Sequence, residues 1–578
     1  MPNNKKLLTG AQAVARVLKQ QEINTVFAYP GTSELFLCNA ILNTKGMHLI
    51  NGRGDKESAF MAAGAGLVKP LQACAILHGA RGLTNACGAI ADTRRNEIST
   101  IFIAGLPSLS SQPFLPPHGE YNLIDTIGKF TNSYEEITSL DPQEFILKLG
   151  RIISRTKEIP AGPVLLGIPQ DVLEKKYIPA DFNIGNFRSQ NIASKNMLIN
   201  KAVRKIKESK YPVILADDYI FKTENALKAL NNLTFSAKIP VFQLFYSRGP
   251  MLFEKISVRK CPAFFGYYKL DNPISQKLIK MCDLLITIED RNMYSRVVGQ
   301  LPPCPKIAIT SSRDKTIKNN YLKETDVIIE GNISKIMESI TNKVEITENS
   351  RTRLIDWDKL RKIKIKPDKN YPRKYSFLRE KIVEIFGEVL KSVKNPVIVD
   401  DSQMFGGMVA KNYDNLPDKI RIFGDHGAFV GAGISYATGL AVANRNLNVF
   451  CLLGDQAFVN GFQGFAAAFE NKTKCIYIVL NNGESVSLFK QVRSQDSRAF
   501  IKDKRFLKNI PGFSYSDIAK AIGLKTYKIE NNQNQKTAFR KALLKSLKLN
   551  KPVLIEIKAP SEKDAWHGVW TTEGNEAK

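Results

Sequence analysis

"FCLLGDQAFVNG" (450–461) runs from an apolar strand into a glycine, an aspartate and then small residues. A second stretch, "CIYIVLNNGES" (475–485), reaches Asn482 27 positions beyond Asp455. Both read as buried strands that deliver an oxygen-bearing side chain at the carboxyl end, with the length of one helix between them. Open parallel sheets bind ligands beyond the carboxyl ends of their strands. A carboxylate and an amide oxygen are hard donors suited to magnesium or calcium, and magnesium can bridge to a diphosphate. The intervening helix, starting near "FVNGFQGFAAAFE" (458–470), can aim backbone N–H groups of its first turn at the same anion. Polar turns closing two core strands are the alternative, and either motif alone fits them well. Their occurrence together, one helix apart, favours a ligand site.

The same alternation extends over most of the chain. "INTVFAYPG" (23–31), "QACAILHG" (72–79), "STIFIAGLPS" (99–108) and "GPVLLGIPQDV" (162–172) read as strands. Small-residue helices lie between them, at "KESAFMAAGAGLVK" (56–69) and "LTNACGAIADTRRN" (83–96). A polar stretch at 186–200 reads as a linker, after which "YPVILADD", "KIPVFQLF", "CPAFFGYY" and "CDLLITIED" repeat the strand pattern. The charged segment from Ile346 to Tyr375 reads as a connector, and "NPVIVDD" (395–401) opens a further set of strands that ends at "PVLIEIKA" (552–559). The fold expected is α/β, with three open parallel-sheet domains at 1–185, 195–345 and 375–560 and a tail at 561–578.

Composition narrows the function classes. The 578 residues are 43% hydrophobic and 24% charged, ordinary for a globular protein. No long apolar run free of charge suggests a membrane span, and the amphipathic start lacks a signal-peptide layout, so a cytoplasmic location is expected. The formal charge of +28, from 83 basic and 55 acidic residues, raises the question of nucleic acid. The basic residues are dispersed in short clusters, with no arginine-rich helix or zinc-finger spacing, which argues against a nucleic-acid binder and for solvated surface. None of the eight cysteines forms a CxxC pair, so buried reduced thiols are expected rather than a zinc site.

Taken together, the GD…NN pairing and the domain order resemble the thiamine diphosphate enzymes of the acetolactate synthase, pyruvate decarboxylase and benzoylformate decarboxylase superfamily. The resemblance covers nearly the whole chain, in the order pyrimidine-binding, central and diphosphate-binding domain. It implies that Asp455 and Asn482 coordinate Mg2+, with the backbone oxygen of Glu484 as a third ligand, and that Gly454 and Gln456 flank the diphosphate. This chain reads "GDQ" where the family motif has GDG. Glu57, in "GRGDKESAFMAAGAG" (52–66), takes the family position of the carboxylate that hydrogen-bonds the aminopyrimidine and promotes loss of the thiazolium C2 proton. An acid at a helix start, favoured by the helix dipole, is its ordinary reading. In "GDHGAFVGAGISYATGLAVA" (424–443), Val430 falls where a bulky apolar side chain holds the cofactor bent, and Gly431 allows the backbone close to it.

On the substrate side, "AYPGTSELF" (28–36) resembles the loop over the thiazolium in benzoylformate decarboxylase, with Thr32 at the position of an active-site serine. A helix-capping threonine is the alternative. His78, in "ILHGARGLTNACGA" (76–89), matches a histidine used for proton transfer, and His118 in "PFLPPHGEY" (113–121) lies near a family histidine position. The central region contains no histidine, whereas benzoylformate decarboxylase brings one from its middle domain. Trp566, His567 and Trp570 in the tail are candidates to close over a pocket or to pack against a partner. The resemblance implies decarboxylation of a small-molecule 2-oxo acid through an enamine intermediate. Carboligation to a second carbonyl, as in acetolactate synthase, is the competing fate. A noncatalytic scaffold or nucleic-acid-binding protein is the alternative from another class. A homodimer or homotetramer is implied, and FAD in the central domain is left open.

Overall fold

The computed structural model describes residues 6–560 apart from 72, 112–113, 185–195, 245–252, 257–260, 269, 271, 294, 345–350, 352–358, 360–380, 403, 413–415, 419, 425–428, 486–487, 489–491, 493–498 and 500–501. The tail tryptophans and His567 therefore lie outside the described residues, as does most of the expected connector. The chain divides into two compact units. One comprises Met1–Ser189, Phe377–Gly406 and Gly424–Lys578, and the other Gln190–Ser376 and Gly407–Phe423.

The first unit holds two parallel sheets. Strands β1 (Thr25–Ala28), β2 (His48–Asn51), β3 (Ala73–His78), β4 (Thr100–Leu106), β5 (Ser133–Glu136) and β6 (Pro163–Pro169) lie in the order β2-β1-β3-β4-β6-β5, all parallel. Strands β4 and β6 are buried at every residue, which is why they read as unbroken apolar runs rather than alternating ones. Helix α1 (Gly10–Gln20) starts where Thr9 and Gln12 exchange backbone-to-side-chain hydrogen bonds of 3.0 and 3.1 Å. Its Val14 and Leu18 enter a core with Ile41, Ile76, Ile103 and Val164, each contributing roughly 1.5–3 kcal/mol by burial.

In the second sheet of this unit, β13 (Pro396–Asp401), β14 (Asn448–Gly454), β15 (Cys475–Asn481), β16 (Lys525–Ile529) and β17 (Val553–Lys558) run parallel in the order β13-β14-β15-β17-β16. The other unit contains β7 (Pro212–Asp217), β8 (Val241–Leu244), β9 (Phe264–Tyr267), β10 (Leu284–Ile288), β11 (Lys306–Thr310) and β12 (Val327–Glu330), ordered β9-β8-β7-β10-β11-β12 and parallel. Here the polar stretch read as a linker already carries the helix Asn196–Glu208 from its eleventh residue onward. Its Ile199, Ala202, Val203 and Ile206 form a buried face that the surrounding polar residues hid from a composition-based reading. At the carboxyl ends of β7 and β10, Asp217 accepts from the Asn292 backbone and side chain at 2.7 and 2.9 Å, and Glu289 pairs with Arg291 at 3.0 Å. Among the described residues no helix is long and apolar enough to cross a membrane.

Within the first unit the two sheets are joined through helices rich in small residues. Helix α2 spans Leu35–Leu42, α3 Asp55–Ala65, α4 Gly79–Arg95 and α5 Gly433–Ala443. A Cβ on Gly64 would stand 2.2 Å from the Tyr436 carbonyl oxygen, and one on Gly439 1.9 Å from that of Met61. The backbones of α3 and α5 therefore touch, a contact only glycine permits. Around it, Phe60 packs against Phe429 and Tyr436 at ring distances of 5.0 and 5.2 Å, and Tyr436 Oη donates to Asp92 Oδ2 at 2.7 Å. Gly439→Val should lower unfolding free energy by about 3 kcal/mol or abolish soluble expression. Denaturant titration checks this, and a variant as stable as wild type would contradict the contact.

Candidate active site

The paired strand ends meet as the sequence anticipated. Register between β14 and β15 sets Gly454 opposite Leu480, so Asp455 and Asn482 emerge from the same end of neighbouring strands. Asp455 opens helix α6 (Asp455–Gly461), which α7 (Gly464–Glu470) follows. It is buried, and its oxygens accept from the backbone N–H groups of Gln456 at 2.8 Å and Gly483 at 3.1 Å. Burial pushes its carboxyl up to about 6, against the pull of those donors and of Asn509. Gly483 holds a φ of +74°, a conformation that suits glycine and brings its N–H round to the aspartate.

The two asparagines divide their labour. Asn481 is buried and donates to Glu556 Oε1 at 2.8 Å, while Asn482 is half-buried beyond the strand end. Glu484 is buried in the next turn, paired in an isolated bridge with Lys508. Gln456, the departure from the family motif, turns outward: its side chain is exposed and donates to Asn509 Oδ1. Asn509 in turn donates to Tyr515 Oη at 3.0 Å. The extra side chain is thus taken up by the 507–509 segment, and Gly454 keeps an ordinary φ of −73°.

Val430 is 39% exposed, a high value for a valine, on the turn before α5. Gly431 follows at φ +103°, where a side chain would meet Asn460 at 2.7 Å. Asp401, the last residue of β13, fastens this turn: its Oδ2 accepts from both Gly431 and Gly433 N–H at 2.9 Å. His426 lies outside the described residues.

Glu57 sits in the first turn of α3 and is 3% exposed. Its Oε1 accepts no hydrogen bond and is ion-paired with Lys56 Nζ at 3.1 Å. A Cβ on Gly54 would come within 2.2 Å of Oε2, so the preceding glycine makes room for the carboxylate. Its only charge partner among the described residues is that ammonium, so the oxygen retains capacity to accept a hydrogen bond from a ligand. That buried oxygen, which accepts no hydrogen bond, together with Asp455 and Asn482 at one end of neighbouring strands, fits an aminopyrimidine nitrogen and a metal-bound diphosphate.

On the substrate side the structure gathers more than the sequence suggested. His78 ends β3, and its backbone N–H donates to Asp55 Oδ1 at 2.9 Å. Its Nδ1 lies 3.0 Å from Glu34 Oε2 and 3.3 Å from Ser33 Oγ. Thr32 is exposed, so Ser33 is the loop hydroxyl that reaches the histidine. His118 joins the group, its ring 5.5 Å from that of His78 and its carbonyl accepting from Ala80 N–H at 2.7 Å. Burial and the neighbouring His78 charge hold His118 below its usual value. Asp55 is pushed up, chiefly by burial and partly by Glu34.

Ser33, Glu34, Asp55 and Asp401 were not singled out from sequence. The signal for Asp401 was present, since acids at the end of "NPVIVDD" occupy the same strand-end class of position as Asp455. Glu34 gave no such hint, because a glutamate before a helix is commonplace. Asp401→Ala removes the acceptor for two N–H groups and should destabilise the cofactor-free protein by about 2 kcal/mol. Urea unfolding measures it, and an unchanged midpoint would show that the turn holds without the clamp.

Comparison with known proteins bears on the family and the fold. Residues 8–128 match the family described as "Thiamine pyrophosphate enzyme, N-terminal TPP binding domain" and residues 407–557 its C-terminal TPP binding counterpart. The acetolactate synthase isozyme 1 large subunit of Escherichia coli (strain K12) is 23% identical over 98% of this chain and 96% of its own. The pyruvate decarboxylase of Kluyveromyces marxianus is 25% identical over 47% of this chain and 48% of its own. In fold, the benzoylformate decarboxylase of Polynucleobacter necessarius superposes with a TM-score of 0.75 at 18% identity, covering 96% of this chain and 99% of that one. The chain belongs to the thiamine diphosphate enzyme superfamily.

Proposed function

We propose that this protein is a Mg2+- and thiamine diphosphate-dependent decarboxylase of a small 2-oxo acid. The observation that carries the reading is the buried Glu57 carboxylate, whose Oε1 is ion-paired with Lys56 but accepts no hydrogen bond, in a unit whose other sheet presents Asp455 and Asn482 at one edge. Asp455, Asn482 and the Glu484 carbonyl are the proposed metal ligands, Gly454 and Gln456 flank the diphosphate, and Val430 and Gly431 form the apolar seat beneath the ring system. When bound, the cofactor supplies the electron sink that accepts the pair released as carbon dioxide departs. Glu57 holds a proton at the pyrimidine ring, a task for a buried carboxyl group. Thr32 is a proposed hydrogen-bond donor to the substrate carboxylate from its exposed position on the loop. His78 and His118 are the proposed proton donors to the carbon that has lost carbon dioxide, which yields an aldehyde.

Carboligation is the second reading, favoured by the acetolactate synthase relative that spans almost the whole chain. Against it stands the cluster of two histidines around the substrate loop, which suits protonation of the carbon rather than its attack on a second carbonyl. A homodimer is the proposed minimum assembly. Tyr29, Leu35 and Phe36, between 45% and 52% exposed beside the Thr32 loop, supply an apolar surface for a second copy. The scaffold alternative would account for the net charge of +28 and for Gln456 in place of the motif glycine, and cofactor titration separates it from the enzyme reading.

Thiamine diphosphate with Mg2+ should raise the melting temperature of the wild-type protein, and a chelator should reverse the shift. Asp455→Ala should lose the shift. Glu57→Gln should retain much of it while 2-oxo acid turnover, followed as carbon dioxide release, falls about 100-fold or more. Full turnover in Glu57→Gln would overturn the assignment of Glu57. Assays with added aldehyde separate the two fates: an acyloin as main product would favour carboligation.

A further inference from the structure

We propose that Glu34 is a positioning residue for His78, holding its ring in the Nδ1–H tautomer so that Nε2 is the nitrogen that exchanges a proton with substrate. The inference rests on the decarboxylase reading for its consequence, but its geometry is independent of it.

Glu34 is completely buried at the start of α2, yet its side chain does not cap that helix. It turns back on its own loop instead. Oε1 accepts from the Gly31 N–H, while Oε2 accepts from Ser33 Oγ at 2.7 Å and lies 3.0 Å from His78 Nδ1. A buried carboxylate away from water is tolerated only when donors surround it. An ionised carboxylate has no proton to give, so the imidazole nitrogen facing it carries the hydrogen. With Nδ1 committed, Nε2 is left as base in the neutral ring and as acid in the imidazolium.

The packing holds this pair in place. A Cβ on Gly31 would lie 2.1 Å from His78 Nδ1, and one on Gly105 2.8 Å from the Glu34 Cβ. Glycine at both positions lets the loop, the ring and strand β4 close on one another. Asp55 anchors the His78 main chain through its N–H, and a Cβ on Gly82 would meet the Asp55 carboxylate at 2.5 Å. Other titratable groups near the ring are Asp55 and the His118 ring at 5.5 Å. The negative charge of Glu34 is felt one helical turn on, where it adds to burial in pushing the Cys38 thiol up to about 12.

In the proton-transfer step the Nε2–H bond of the His78 imidazolium breaks, its electron pair stays on nitrogen, and a C–H bond forms at the carbon that lost carbon dioxide. Solvent then restores the proton. Glu34 supports the imidazolium before the transfer and keeps the correct nitrogen free after it. It touches neither substrate nor cofactor in this scheme.

The chain has only five histidines, so 15N-histidine labelling with single His→Gln variants assigns each ring. Long-range 1H–15N spectra of the full-length protein at pH 8, with and without thiamine diphosphate and Mg2+, should show His78 as the Nδ1–H tautomer. Glu34→Gln keeps the volume but can donate from its amide, and the His78 signals should move toward Nε2–H. Its kcat should fall at least about 10-fold with KM within about threefold, and Glu34→Asp should recover part of both. An Nε2–H tautomer in wild type overturns the proposal even if Glu34→Gln fails to fold. Wild-type kcat and tautomer in Glu34→Gln overturn it as well. The tautomer is read without substrate, so failure of the decarboxylase reading, seen as no carbon dioxide release from wild type, is a separate result.

Discussion

The backbone contact between α3 and α5 is the constraint on which the first unit depends. Two helices can approach to touching distance only where side chains are missing, and Gly64 and Gly439 supply those gaps. Each helix begins at a proposed functional element: α3 at Asp55 and Glu57, α5 just after Val430 and Gly431. Anything that spread the helices would disturb both elements at once. This explains why both segments are so rich in alanine and glycine, and why they are buried around almost their whole circumference rather than along one stripe.

Several of the proposed site residues are held by neighbours of a different kind. Asp455 is supported by backbone donors, the Val430 turn by a carboxylate at the end of β13, and His78 by a carboxylate from the Thr32 loop. In each case a polar group sits at or just beyond the end of a strand, where the apolar sheet no longer covers it and backbone groups need partners. Burial there perturbs ionisation, raising both Asp55 and Asp455 above their ordinary range for the same reason. A divalent cation at Asp455 would oppose that effect, since it favours the ionised carboxylate.

The carboxyl edge of the sheet in the other unit has a different character. Asp217 pairs there with Asn292, and Glu289 with Arg291, so two polar pairs occupy the position where open sheets commonly take ligands, with Asn292 Oδ1 left without a hydrogen-bond partner among the described residues. The sequence had shown only that "ILADD" and "ITIED" end in acids, which says nothing about whether those acids face a ligand or each other.

By itself the sequence determined the α/β character, the strand ends at Asp455 and Asn482, the glutamate at the start of α3 and the histidine at the end of β3. These are local matters: apolar runs, their abrupt polar ends and helix-length spacing are all written along the chain. Only the tertiary structure decided that Ser33 rather than Thr32 reaches His78, that Glu34 bonds the ring, that Asp401 clamps the Val430 turn, and that Gln456 folds outward onto Asn509. Each of those contacts joins residues from 30 to 53 positions apart. Hydrogen bonds between such distant groups leave no periodic trace, because their partners are matched in space and not in spacing.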